Sequence, residues 1–115
     1  MNFPNRRPSN KAIRRRSKRQ ELELATDTGG RVQKGSGSLP WLKGDVRHKG
    51  KFRAECKQTR ARSFSVTRDT LNKIRSECNF DETPVLDVVF LGPGGKTEER
   101  FVVIPYSVWV DSQKE

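Results

Sequence analysis

The sequence predicts one small α/β domain with a mixed central β-sheet flanked by helices. A chain of 115 residues is long enough for one such domain and too short for two. Two apolar runs, PVLDVVFL at 84–91 and RFVVIP at 100–105, have the length and β-branched composition of buried strands. Two stretches with helical signals, 14–28 and 67–79, lie on either side of a predicted hairpin. Strands interleaved with helices predict a mixed sheet with helices packed against it.

Each element has its own local signal. Gly29-Gly30 is typical of a helix C-terminus, and Thr67 is a good N-cap for the second helix. The turn His48-Lys49-Gly50 separates two strand-like stretches and predicts a β-hairpin. The predicted order is helix 14–28, a possible strand start at 31–33, a Gly/Ser loop at 35–40, hairpin strands 45–47 and 51–59, helix 67–79, strand 84–91, a glycine-rich loop at 92–95, strand 100–105, and a short helix or turn at 105–111.

The charge points to nucleic acid. The chain has 24 Lys+Arg against 14 Asp+Glu, a net charge of +10, and the basic excess lies in the first two thirds. Residues 1–13 favour a flexible basic arm that contacts phosphates, or alternatively a solubilising tail, leaving 14–115 as the folded domain. No apolar run approaches the roughly 20 residues of a membrane span. The two cysteines are too few for a disulfide framework or a zinc site, so we expect a reducing, cytoplasmic location.

One pattern in the basic segment indicates a catalytic site. Asp45 opens the hairpin, and Glu55-Cys56-Lys57 lies on its second strand, where alternation puts Glu55 and Lys57 on one face. The hairpin brings Asp45 beside them. Magnesium is held by one or two carboxylates and keeps several waters, so Asp45 and Glu55, with the Cys56 carbonyl, are a suitable set. Lys57 would orient or deprotonate the attacking water, or stabilise charge on a phosphate.

The same residues have a simpler explanation. An Asp and a Glu-x-Lys ten residues later occur often by chance in a charged chain, and pairing across strands on a solvated face would account for them. The surrounding sequence favours the catalytic interpretation. GRVQKGSGS (30–38), KGDV (43–46), AECKQT (54–59) and SFSV (63–66) follow one another in an order that resembles the PD-(D/E)XK nuclease superfamily. The resemblance is closest to the archaeal-type and phage-encoded Holliday junction resolvases, and covers about residues 17–110.

The resemblance implies roles for individual residues. The metal ligands of the family match Asp45 and Glu55, and its catalytic lysine matches Lys57. A glutamate on the first helix completes the metal site in the family, and Glu21 is the best match, with Glu23 as the alternative. Ser36 matches a serine that contacts phosphate or metal-bound water, with Ser38 second, although both also suit an ordinary turn. Gly44 replaces the proline of the superfamily name and Cys56 occupies an often aliphatic position; neither change removes a catalytic group.

The expected function is a magnesium-dependent endonuclease that resolves four-way DNA junctions by paired nicks, with manganese able to substitute. Two-fold symmetry of the junction favours a homodimer, and Tyr106 and Trp109 are expected to seal a core or a dimer interface. If the source is a virus, the location is the host-cell cytoplasm. The alternatives are a general branched-DNA or flap nuclease of the same fold, and a non-catalytic nucleic-acid-binding protein. The predicted DNA contacts are Arg31, Lys34, Ser36, Ser38, Lys43, Arg47, Lys49, Arg60 and Arg62.

Overall fold

In a computed structural model, the chain forms a five-stranded sheet whose strands lie side by side in their order along the chain. The structure describes residues 9–33 and 45–114, with the backbone alone for Asp45. The third and fourth strands are parallel, and the other neighbouring strands are antiparallel. The predicted α/β class is confirmed. The elements are α1 (Asn10–Thr28), β1 (Arg31–Val32), β2 (Asp45–His48), β3 (Phe52–Thr59), α2 (Arg68–Glu77), β4 (Thr83–Leu91), a 3-10 turn at Pro93–Gly95, β5 (Thr97–Val103) and α3 (Tyr106–Gln113).

Helix α1 begins earlier than predicted. The Ser9 side chain accepts a hydrogen bond from the Ala12 amide at 3.1 Å, so the helix starts at Asn10 rather than at residue 14. Residues 10–13 are therefore helical, although they were predicted to belong to the flexible arm. A serine N-cap satisfies one of the amides that the first turn leaves unpaired, and this local signal outweighs the polar composition of the stretch. The helix ends at Gly29, as predicted.

Two helices pack on opposite faces of the sheet. On one face, Leu24 of α1 packs with Val46 and Ala54. On the other, Ile74 of α2 packs with Leu86 and Val88. Because successive side chains of a strand alternate between the faces, the face on which each helix packs determines what surrounds every residue of β3. Within residues 9–33 and 45–114, no helix is long and apolar enough to cross a membrane.

A buried cluster of hydrogen-bonded polar side chains connects α1 to the centre of the sheet. The Asp87 carboxylate on β4 is fully buried and accepts hydrogen bonds from Arg100 Nε at 3.0 Å and Arg100 Nη2 at 2.7 Å. Gln20 Nε2 donates to Asp87 Oδ2 at 3.1 Å and lies within 3.2 Å of the main-chain oxygens of Asp87 and Lys57. Three elements, α1, β4 and β5, thus meet at one carboxylate.

A second ion pair joins the hairpin to the start of β4. Arg47 on β2 donates from Nε to Glu82 Oε2 at 2.7 Å and from Nη2 to Oε1 at 3.0 Å, while the Asn79 amide also donates to Glu82. The Glu82 side chain is completely buried. The hydrogen bonds from Arg47 outweigh the effect of burial and lower the pKa of the Glu82 carboxyl from 4.5 to about 2.

This depressed pKa predicts a loss of stability in acid. A carboxyl whose pKa is lower in the folded than in the unfolded state stabilises fully above the unfolded value, and this contribution disappears as pH falls to the folded value. We therefore expect wild type to lose more unfolding free energy between pH 4.5 and pH 2 than Glu82→Gln does. Urea unfolding across this range measures the difference. Equal pH dependence of the two proteins would contradict the assignment.

Candidate functional site

The hairpin register places two acidic positions opposite each other. Asp45 on β2 pairs directly with Glu55 on β3. Directly opposed positions of an antiparallel pair share a face of the sheet, as do positions two apart on one strand. Positions 45, 55 and 57 therefore lie on the same face, as the sequence predicted. This pairing is the last one described between β2 and β3, and β3 continues four residues beyond it to Thr59.

Glu55 has a cation partner that the sequence did not reveal. Its side chain is nearly buried, and Lys73 Nζ on α2 lies 3.1 Å from Glu55 Oε1. The Lys73 side chain remains about half exposed. Because a nearly buried carboxylate is costly without a compensating charge, the contact with the lysine offsets part of the cost of burying Glu55. The contact also shows that the Glu55 carboxylate points toward α2.

Lys57 lies on the same face, next to the buried Val88 of β4. Its side chain is partly buried, and it forms no ion pair with the described carboxylates. A partly buried lysine on the face of Glu55, with no acid within 4.0 Å of its ammonium among the residues described, is available to an anion such as a phosphate. Lys73, by contrast, already forms an ion pair with Glu55.

Glu21 lies on the other face of the sheet. It is buried in α1 one turn before Leu24, and it is close enough to Cys56 to influence the thiol. Burial raises the pKa of Cys56, and the charges of Asp87 and Glu21 raise it further. Since Cys56 and Glu55 point to opposite faces, the described structure does not bring Glu21 and Glu55 together. The alternative acid, Glu23, is half exposed and pairs with Arg100 at 3.4 Å.

The predicted DNA contacts divide into three groups. Arg31, Lys49, Arg60 and Arg62 are exposed, so their charges are available to a phosphate backbone. Arg47 is occupied by its ion pair with Glu82, and its charge is largely compensated. The remaining predicted contacts, and with them the predicted phosphate loop, lie outside the described residues; they are Lys34, Ser36, Ser38 and Lys43.

The first half of α1 adds a basic surface, of which only Lys11 belongs to the 1–13 arm that was predicted to contact phosphates. Six cations and no acid occupy residues 11–19, and all but Arg16 are exposed. Arg19 Nη2 donates to the Gly95 carbonyl at 3.2 Å, and the Arg16 guanidinium occupies the space that a side chain at Gly95 would need. These two arginines therefore hold the loop after β4, which leaves Lys11, Arg14, Arg15 and Lys18 for other contacts. The N-cap at Ser9, which starts the helix at Asn10, is the sequence signal that could have revealed this surface.

The donors on the Glu55 face suit a hard divalent cation. No three His, Cys, Asp or Glu side chains form a metal-binding group among the residues described. Magnesium does not require such a group, because one or two carboxylates and several waters complete its shell. The buried Glu55 carboxylate already has a positive charge beside it in Lys73, so an ion at this place would share the carboxylate with the lysine. Asp45 and Glu55 are the residues that would hold the ion.

Other chemistries find less support on this face. The single histidine, His48, lies at the far end of β2, where its Nδ1 is 3.2 Å from the Thr28 carbonyl and its ring packs edge-on against Phe52. This arrangement accounts for His48 as a structural residue.

Comparisons with protein families, with curated proteins and with solved structures give no match for this chain.

Proposed function

We propose that the protein is a magnesium-dependent, structure-selective DNA endonuclease. The observation that carries the proposal is the pairing of Asp45 with Glu55, which puts both acids and Lys57 on one face of the sheet. This is the arrangement that the resemblance to the Holliday junction resolvases implies for a metal site and its lysine. The surrounding excess of exposed cations supports a polyanionic substrate.

The chemistry follows from the charges on this face. Asp45 and Glu55 would hold a magnesium ion, which would lower the pKa of an attacking water and polarise a phosphoryl oxygen. The half-buried Lys57 would contact the phosphate and stabilise the negative charge that develops during cleavage. Arg31, Lys49 and the 60–62 segment bind the flanking backbone. Because these cations contact phosphates rather than bases, they select DNA by the path of its backbone, with little sequence preference.

The substrate that fits best is a four-way junction. The resemblance favours it, and a junction presents several backbones to a basic surface at once. A reducing cytoplasmic location, of the host cell if the source is viral, agrees with the free thiols of Cys56 and Cys78. The test is to compare cleavage of a synthetic four-way junction, a flap, a fork and a linear duplex with magnesium, manganese or a chelator. We expect the junction to be cut fastest, and only with a metal present. Faster cutting of flaps would instead favour a general branched-DNA nuclease.

One observation favours a second candidate, a nucleic-acid-binding protein without catalysis. Lys73 already neutralises Glu55, so the carboxylate does not depend on a metal for its counterion. On this alternative the acids and lysines of the hairpin face are structural, and DNA binds equally well with and without magnesium. The absence of cleavage of every substrate at any metal concentration would favour it over the endonuclease.

Lys73 also yields a quantitative prediction for the endonuclease. A lysine 3.1 Å from Glu55 Oε1 competes with a metal for the same carboxylate. Lys73→Met retains most of the apolar stem and removes the charge. Because the lysine is half exposed and partly screened, we expect the magnesium concentration for half-maximal cleavage to fall about threefold to fivefold. An unchanged magnesium requirement with a lower maximal rate would contradict competition and indicate that Lys73 contacts the substrate.

Lys51→Met is the matched control, because Lys51 is exposed in the hairpin turn at the other end of β3. It removes the same charge from the surface and should leave the magnesium requirement unchanged. A similar shift in both variants would indicate that the loss of net charge, and not the contact with Glu55, alters magnesium binding.

A further inference from the structure

An aromatic pair lies at one end of the Glu55 face. Phe90 of β4 and Phe101 of β5 meet edge to face, with their ring centroids 6.4 Å apart. Phe90 is partly buried and packs against the core cluster that contains Ile74. Phe101, in contrast, is 56% exposed. The inner ring thus supports the outer one, and more than half of Phe101 remains accessible to a ligand.

The register of the sheet puts Phe101 in line with Lys57. Lys57 on β3 pairs with Val88 on β4, and Val88 pairs with Phe101 on β5. Residues paired across neighbouring strands point to the same face, so Phe101 shares the Glu55 face with Lys57. Because neighbouring strands are about 4.8 Å apart, the backbones of these two residues are separated by roughly 10 Å. One nucleotide spans such a distance, with its phosphate near the lysine and its base near the ring.

Exposed arginines follow directly at this end of the face. Thr59, the last residue of β3, pairs with Phe90, and the exposed Arg60 and Arg62 come immediately after it. The segment that they begin stays on this side of the sheet, because Phe64 packs against the same core cluster as Phe90. Proteins that bind unpaired nucleic acid combine the same two groups: cations hold the backbone, and aromatic rings stack on the bases.

Packing alone does not account for the position of Phe101. An aromatic ring stabilises a fold mainly through the area that it removes from water, and Phe101 buries less than half of its surface. Phe80 is also exposed, but it precedes β4, whose first residue pairs with Phe52 at the hairpin end of β3. Phe101 is therefore the exposed phenylalanine that the described structure places beside Lys57.

We propose that Phe101 stacks on a base extruded at the branch point of the DNA substrate, beside the phosphate at Lys57. The inference rests on the proposed endonuclease function and names the feature by which this face recognises a branch. Within a continuous duplex each base is stacked on both sides, so extruding one costs the energy of unstacking and unpairing. Beside a strand exchange the stack is interrupted, and this cost is lower. Phe101 therefore favours a branch point over the interior of a duplex.

The first experiment measures affinity in EDTA, so that it does not depend on cleavage. A labelled oligothymidylate and an abasic oligonucleotide with the same number of phosphates are titrated with the protein. Wild type should bind the base-bearing strand about tenfold more tightly, because stacked bases contribute to affinity. Phe101→Leu retains an apolar contact with Phe90 and loses the ring, so it should bind both strands alike. Equal binding of both strands by wild type, or a preference retained by Phe101→Leu, would overturn the proposal.

Matched variants separate stacking from charge. Phe80→Leu makes the same change at the other end of β3 and should retain the tenfold preference. Arg60→Gln should weaken binding of both strands equally and reduce the slope of log affinity against log salt concentration by about 0.7, the value for one phosphate contact on a single strand. Phe101→Leu removes no phosphate contact, so its slope should equal that of wild type; a changed slope would refute stacking. Circular dichroism confirms that each variant is folded.

The second experiment measures selectivity during cleavage in magnesium. The ratio of the cleavage rate of a four-way junction to that of a linear duplex should fall about tenfold in Phe101→Leu and stay unchanged in Phe80→Leu. An unchanged ratio in Phe101→Leu would refute its role in branch selection. If wild type cleaves no substrate, the proposed endonuclease function fails, whereas the affinities in EDTA still decide whether Phe101 stacks on a base.

Discussion

Glu55→Gln is expected to lower junction cleavage in magnesium about 1,000-fold, because a metal contributes several kcal/mol of transition-state stabilisation at 1.36 kcal/mol per factor of ten. The amide retains the size of the side chain and loses the charge that would hold the ion. Since Glu55 is nearly buried and directly opposes Asp45, no other described acid on this face replaces it. Single-turnover cleavage of a labelled four-way junction measures the rate.

Binding and folding must be separated from chemistry in this experiment. Glu55→Gln removes the charge that lies 3.1 Å from Lys73 Nζ, so the unfolding free energy of the variant should be measured beside its cleavage rate. Junction affinity in a chelator should not fall, because the substitution makes the face more positive. Glu99→Gln, at an exposed position of β5, is the matched control and should cleave like wild type. Cleavage by Glu55→Gln within tenfold of wild type would exclude Glu55 as a metal ligand.

The sequence was sufficient to predict the Asp45–Glu55–Lys57 face, for a simple reason. A hairpin with a short turn fixes the register of its strands, and alternation with a period of two then assigns every side chain to a face. The glycine turn at 50 and the residues around it are local signals. The same applies to the N-cap at Thr67 and the apolar strand 84–91, whose predicted elements are present.

The partners of this face depend on tertiary packing, which local signals do not encode. Neither the contact of Lys73 with Glu55 nor the location of Glu21 on the opposite face follows from the spacing of residues within α1 or α2. Both depend on which face of the sheet each helix covers. Asp87 shows the same limit: it is the one polar residue of the apolar run 84–91, and its partners Gln20 and Arg100 are 67 and 13 residues away.

Arg100→Leu is expected to destabilise the fold more than any other single change considered, by about 3–5 kcal/mol, because it leaves a fully buried carboxylate without its cation. Asp87→Asn should cost less, about 1–2 kcal/mol. The reason is the asymmetry of the pair: the Arg100 side chain is 25% exposed and can turn to water, whereas Asp87 cannot. Urea unfolding of both variants measures the difference.

The double variant Asp87→Leu/Arg100→Leu separates pairing from packing. If the loss in Arg100→Leu comes from the orphaned charge, removing Asp87 as well should recover much of the stability. Gln20 retains its main-chain acceptors at Asp87 and Lys57, so its amide is not left unpaired. Glu23→Gln removes the exposed 3.4 Å contact with Arg100 and should cost less than about 0.5 kcal/mol. A double variant less stable than Arg100→Leu would show that the cluster stabilises through its hydrogen bonds, and that the buried charge is not the cause.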